Sequence, residues 1–222
     1  VIVRSWDQRG REFILGIVSD GMGGMRNGAE CAALAVGTFV GVLYQQAKTG
    51  LDDPSTWIRR AVNAANQTVY SKYRADGGAT LVAYLDVQGS SAHWVSVGDS
   101  RVYQASVTEL KQVSVDDTIA GQLGKLEDIS IQQTKLLQFV GMGDDLEPHI
   151  EKLDATIAGS VLLTTDGVHF LANSNGWLSQ VIVNAPEPGT CVKRLTELAK
   201  WCGGADNATV AMLLLSSDRE RG

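Results

Sequence analysis

Four aspartates are spaced so that they could work together. Three follow short apolar runs: Ile17-Val18-Ser19-Asp20, Ser96-Val97-Gly98-Asp99 and Leu163-Thr164-Thr165-Asp166. The fourth, Asp206, stands just before the run Ala208–Ser216. If these runs are strands and the last lies antiparallel to its neighbours, its start falls where theirs finish. All four carboxylates then meet on one rim of a sheet. Bare anions a few ångströms apart cannot all ionise. Hard divalent cations such as Mg2+ or Mn2+, which take carboxylate and water oxygens, resolve that conflict. Singly, none of the four carries this reading. Asp-Gly is a common turn dipeptide, which suits Asp20-Gly21 and Asp166-Gly167. Asp99 fits a hairpin corner, and Asp206-Asn207 fits a cap or turn after Gly203-Gly204. The set is what points to chemistry.

The elements that must position them follow from periodicity. Phe13–Ser19 reads as a strand, and Val1-Ile2-Val3 as another before it. From about Asn27 to Lys48, Ala32, Val36, Phe39, Leu43 and Ala47 recur at helical steps. Asp53-Pro54 supplies an N-cap and first-turn proline for a second helix with Ile58, Val62, Ala65 and Val69 on one face. Asp76-Gly77-Gly78 breaks it. Thr80–Val87 and Ala92–Val97 read as strands paired through Gly89-Ser90-Ser91, and Gly98-Asp99-Ser100 turns into Arg101–Ala105 to extend the meander. Ser160–Thr165 is a strand, Thr190–Cys202 a helix stopped by Gly203, and Ala208–Ser216 a final strand. The stretch from Val113 to Pro148 carries only mixed, short helical signals.

Length and composition bound the rest. The 222 residues suffice for one core, and residues 1–222 are expected to form a single domain. A net charge of −6 argues against a nucleic-acid binder, which needs a basic face. Cys31, Cys191 and Cys202 are scattered and odd in number, so they are expected as small core residues in a reducing, cytoplasmic setting. No apolar run is expected to be long enough to span a bilayer.

The blocks around the aspartates resemble those of bacterial type 2C protein phosphatases, the metal-dependent serine/threonine (PPM) family. The resemblance rests on Asp20-Gly21-Met22-Gly23-Gly24 with Gly28-Ala29-Glu30, Gly78-Ala79-Thr80-Leu81 and Gly98-Asp99-Ser100-Arg101. It continues through Leu162-Leu163-Thr164-Thr165-Asp166-Gly167-Val168 and Gly203-Gly204-Ala205-Asp206-Asn207-Ala208-Thr209-Val210. It implies an α+β fold, a four-layer α-β-β-α sandwich of two antiparallel sheets flanked by helices. It also implies Mn2+ or Mg2+, two per domain with a weaker third, a phosphorylated protein substrate made by a Ser/Thr kinase, and a monomer without nucleic-acid or membrane partners. By the same resemblance Asp20 bridges two metals, with the Gly21 carbonyl as a further ligand. Asp166 and Asp206 complete the second metal's shell, and Asp99 with Asp166 holds the third cation. A water between the metals attacks phosphorus, with no phosphoenzyme. The glycines Gly21, Gly23 and Gly24 let the backbone bend close to the metals. Arg101 suits a phosphate clamp by chemistry, but the family's arginine at this place is expected in a buried ion pair.

The pattern is also departed from. Family members carry a phosphate-binding arginine and an Asn-Glu-Asp block upstream of the first Asp-Gly. Neither occurs here, and Arg4 falls on the wrong side to replace the arginine, so that piece is expected immediately before Val1. Met22 stands where many eukaryotic members have a histidine. His93, in a strand, His149, in a loop after Pro148, and His169, just after Asp166-Gly167, are expected in packing or surface roles. Val140-Gly141-Met142-Gly143 departs from the family's flap region, so substrate preference stays open. Two rivals differ in class. Haloacid-dehalogenase-like phosphatases need an aspartate two residues before another, which Thr164-Thr165-Asp166 lacks. A catalytically impaired phosphatase-like domain would bind a partner without turnover.

Overall fold

Alternation along each strand explains the layering. In strand β2 (Glu12–Val18), Phe13, Leu15 and Ile17 point to one side, whereas Ile14 and Val18 point to the other. Both sides are apolar, so the strand needs cover on both faces. The structure, a computed structural model, describes residues 1–22, 27–50, 53–74, 76–106, 109–123, 135–154, 159–172, 176–185, 187–204 and 206–215. Gly23 and Gly24 lie outside these residues, as does 124–134 in the stretch that was hard to read.

One sheet orders β1 (Ile2–Trp6), β2, β3 (Leu81–Val87), β4 (His93–Val97) and β7 (His149–Lys152) side by side. The second orders β6 (Leu110–Gln112), β5 (Arg101–Ala105), β8 (Ser160–Thr164) and β9 (Val210–Leu214). Every neighbouring pair is antiparallel. The sheets pack face to face through Val82, Tyr84, Trp94, Val102, Val161 and Leu163. At Gly16 the missing side chain makes room for Leu213 of the opposite sheet, which an added Cβ would approach to 2.6 Å.

Helices cover both outer faces. On the first sheet lie α1 (Gly28–Thr49) and α2 (Pro54–Tyr73). In α1, Cys31, Ala35, Phe39, Leu43 and Ala47 are buried at four-residue steps. In α2, the Asp53 carboxylate accepts the Ser55 N–H and Pro54 sits in the first turn, as its sequence implies. On the second sheet lie α4 (Asp166–Ala172), α5 (Trp177–Val183) and α6 (Pro188–Trp201), with Leu178, Cys191 and Leu195 packed on Tyr103 and Leu162. A short α3 (Ile119–Leu123) follows β6 in the chain. This is the expected four-layer α-β-β-α arrangement, and the three cysteines are free thiols.

Several expectations are corrected. β5 does not extend the meander: Gly98, at φ 93°, turns the chain out of the first sheet and into the second. His149 opens strand β7 instead of lying in a loop, because Ser96 offers it a partner across the ladder. Asp166 starts helix α4 where a turn fitted equally well. Finally, α1 is long and apolar enough by length and composition to cross a membrane. Gly37, Thr38 and Gly41 hid this by breaking the apolar run without adding charge. The buried stripe of α1 nevertheless belongs to the core it shares with α2 and the first sheet.

Candidate active site

The strand ends carry the four carboxylates to one place. β2 leads into Asp20, β4 into Asp99 and β8 into Asp166. β9 pairs with β8 in the register Thr164 to Val210, so Asp206, just before β9, arrives beside Asp166. All four line one cavity of about 440 Å³, together with Gly21, Met22, Thr80, Lys135, Leu136 and Phe139.

Threonines knit the rim. Thr80 Oγ1 accepts the Asp20 N–H at 3.0 Å, its own N–H donates to the Asp20 carbonyl at 2.8 Å, and its hydroxyl meets Ser100 Oγ at 2.7 Å. One side chain thus ties the end of β2 to the Gly98-Asp99-Ser100 corner. Thr165 does the same opposite: Oγ1 accepts the Thr209 N–H at 3.0 Å and donates to the Asn207 carbonyl at 3.3 Å, fixing the Asp206 approach against Asp166. Glycine is required at two points of closest approach. A Cβ on Gly21 would collide with the backbone of Gly28, and one on Gly167 with the carbonyl of Asn207.

The electrostatics show what this closeness costs. Burial, then the charges of Asp166 and Asp206, push Asp20 up to about 7. Burial, then Asp166 and Asp116, push Asp99 up to about 7. Burial and the charge of Asp206 raise Asp166. Burial and mutual repulsion thus favour the protonated form of these carboxylates while no cation sits among them. Among the described residues no group of three or more acidic, histidine or cysteine side chains is already arranged to hold a metal ion. A hard, oxygen-seeking cation here would rely on water for part of its shell and on the carboxylates turning toward it.

Other expected residues fall outside the rim. Arg101 is engaged: Nε reaches both Asp116 oxygens at 2.9 and 3.1 Å, and Nη2 reaches Oδ2 at 2.7 Å. Burial opposes its charge, yet the bonds to Asp116 hold the guanidinium above its ordinary value. The arginine is used in a half-buried ion pair. His169 is buried in α4 with Nδ1 2.8 Å from Thr164 Oγ1, and burial drives its pKa well down. His93 is buried in β4, again with a lowered pKa from burial. His149 Nε2 lies 2.8 Å from Asp117 Oδ1. None of the three lines the cavity.

Sequence reasoning missed Thr80, Thr165, Asp116, Asp117 and Lys135. For Thr80 a signal existed, since Gly78-Ala79-Thr80-Leu81 was already singled out. Asp116-Asp117 carried none beyond following a short strand, and Lys135 lies where no period was legible.

Known proteins are similar to this chain over most of its length. Residues 3–203 match the family model described as protein phosphatase 2C. Protein phosphatase PhpP of Streptococcus pneumoniae is 24% identical over 226 residues, covering 96% of this chain and 89% of that protein. Serine/threonine protein phosphatase PstP of Mycobacterium tuberculosis is 28% identical over 210 residues, covering 88% of this chain and 39% of PstP. The serine/threonine phosphatase structure from S. agalactiae shares the fold at TM-score 0.78 and 24% identity, covering 96% of this chain and 90% of that one. With a match over most of its length and an acidic rim where its strand ends meet, the chain belongs to the protein phosphatase 2C family.

Proposed function

We propose that this chain hydrolyses phosphoserine and phosphothreonine in proteins phosphorylated by a Ser/Thr kinase. Two divalent cations, Mn2+ or Mg2+, would be held by Asp20, Asp166 and Asp206 with the Gly21 carbonyl, and a weaker third by Asp99 with Asp166. Bound there, such cations make water a nucleophile near neutral pH and neutralise charge on the phosphoryl oxygens. The observation that carries the reading is the convergence of Asp20, Asp99, Asp166 and Asp206 on one cavity at the meeting strand ends.

The chain's own residues supply placement. Thr80 and Thr165 fix the carboxylates by their backbones, so the rim needs little rearrangement when charge builds on a substrate. No serine, cysteine or histidine lines the cavity among the described residues, and the Thr80 hydroxyl is committed to Asp20 and Ser100. Direct attack by water suits that inventory, and so does protonation of the leaving group by water.

Phosphate release from phosphoserine and phosphothreonine peptides tests this. Activity is expected with millimolar Mn2+, to vanish with a chelator, and to fall by about a hundredfold or more in Asp166→Asn, the usual scale for a charge-stabilising group. Folded protein that stays inert at every Mn2+ concentration would leave the partner-binding, non-hydrolytic reading in its place.

A further inference from the structure

A phosphomonoester dianion that reaches cations held by Asp20, Asp99, Asp166 and Asp206 also meets the other side chains that line the cavity. Arg101, the cation nearest in sequence, is held by Asp116. Among the described residues, Lys135 is the one cationic side chain lining the cavity.

Lys135 is exposed, and the backbone that follows it is anchored. Leu136 forms an antiparallel bridge with Thr118, and the Leu137 N–H donates to the Asp117 carbonyl at 2.7 Å. Gln138 Nε2 donates to Asp117 Oδ1 at 3.1 Å. Val140 and Ala79 exchange two backbone bonds at 2.8 and 3.1 Å. Asp117 itself is buried, and its Oδ2 accepts the Gly98 N–H at 2.9 Å, one residue before Asp99. The wall that carries Lys135 and the floor that carries Asp99 are therefore tied to one carboxylate. A flexible four-carbon stem on a fixed base can swing its charge over the cavity and still release product.

We propose that Lys135 is a cationic side-chain contact to the phosphoryl oxygens of the substrate. The contact rests on the phosphatase reading above. It adds attraction for the dianion at the cavity wall and orients it, while hydrolysis depends on other groups.

The test compares wild type with Lys135→Ala and Lys135→Arg, both at an exposed position where folding is not at stake. Kinetics are measured at millimolar Mn2+ on para-nitrophenyl phosphate and on phosphoserine peptides with neutral or acidic flanks. Inorganic phosphate is titrated calorimetrically into each Mn2+-loaded protein. Lys135→Ala is expected to raise KM on all three substrates, and to weaken phosphate binding, by about five- to tenfold, the scale of a partly solvated charge-assisted bond. kcat should stay within about twofold by the same reasoning. Lys135→Arg should recover most of the loss, and added salt should shrink it. Unchanged KM and phosphate affinity would overturn the proposal. So would a loss confined to the acid-flanked peptide, which would place Lys135 against a neighbouring carboxylate, and so would a fall in kcat alone. Wild-type inactivity would overturn the phosphatase reading instead, and the calorimetric comparison would still decide the phosphate contact.

Discussion

Removing either half of the Arg101–Asp116 pair should destabilise the protein without weakening its hold on substrate. The guanidinium makes three bonds to the carboxylate, at 2.9, 3.1 and 2.7 Å, and the two side chains are 18% and 14% exposed. Breaking a fully buried pair costs about 3–5 kcal/mol because the survivor keeps an uncompensated charge. Both partners here retain some water, which lowers the expectation to about 2–3 kcal/mol. That is a large share of a typical total of about 5–15 kcal/mol, and for a chain of this size it lowers Tm by roughly 5–10 °C. Urea unfolding of Arg101→Met, Asp116→Asn and the double variant measures it. The double variant should lose less than the sum of the singles, since the second change removes a charge already stranded. Below the unfolding range, KM for para-nitrophenyl phosphate should stay within about twofold in each variant, because neither group touches substrate. A tenfold rise in KM in Arg101→Met with none in Asp116→Asn would show the arginine reaching the phosphate, and would refute the assignment.

Two further outcomes follow from the rim. Thr80→Val keeps the shape but strips the acceptor of the Asp20 N–H and the partner of Ser100, so stability should drop by about 1–3 kcal/mol in denaturant titration and Mn2+ activation should shift to higher concentration; unchanged values for both would contradict the bracing role. Without divalent cations, Asp20 and Asp99 hold protons up to about 7 when folded, against 3.8 for an ordinary aspartate. The folded state then binds more protons than the unfolded one between those values, so stability should be greater near pH 5.5 than near pH 8 in the presence of a chelator, read as Tm; the reverse order would contradict the crowding of the carboxylates.

How much of this was legible in the sequence depends on how local each signal was. The strands ending in Asp20 and Asp166 could be read as short apolar runs, and the stripe of α2 from its helical period. In α1, by contrast, the expected Ala32 and Val36 are only partly buried, and Cys31 and Ala35 face the core instead. The convergence of Asp206 with Asp166 followed from a single assumption, antiparallel pairing, which the β8–β9 register fulfils. The change of sheet at Gly98 could not be read, because an Asp-Ser corner after a strand looks alike whether the chain folds back or crosses over. The bracing by Thr80 and Asp117 was hidden for another reason. Each acts on residues 19 or more positions away, and such contacts leave no periodic trace.

The account's centre is a cluster of carboxylates that needs cations to be stable and active. Crystals grown with Mn2+ and measured at its absorption edge test this directly. Two anomalous peaks sharing Asp20, with Asp166 and Asp206 around one of them, are the predicted result. Manganese bound elsewhere, or a rim that stays protonated and empty at millimolar Mn2+ above pH 7.5, would contradict it.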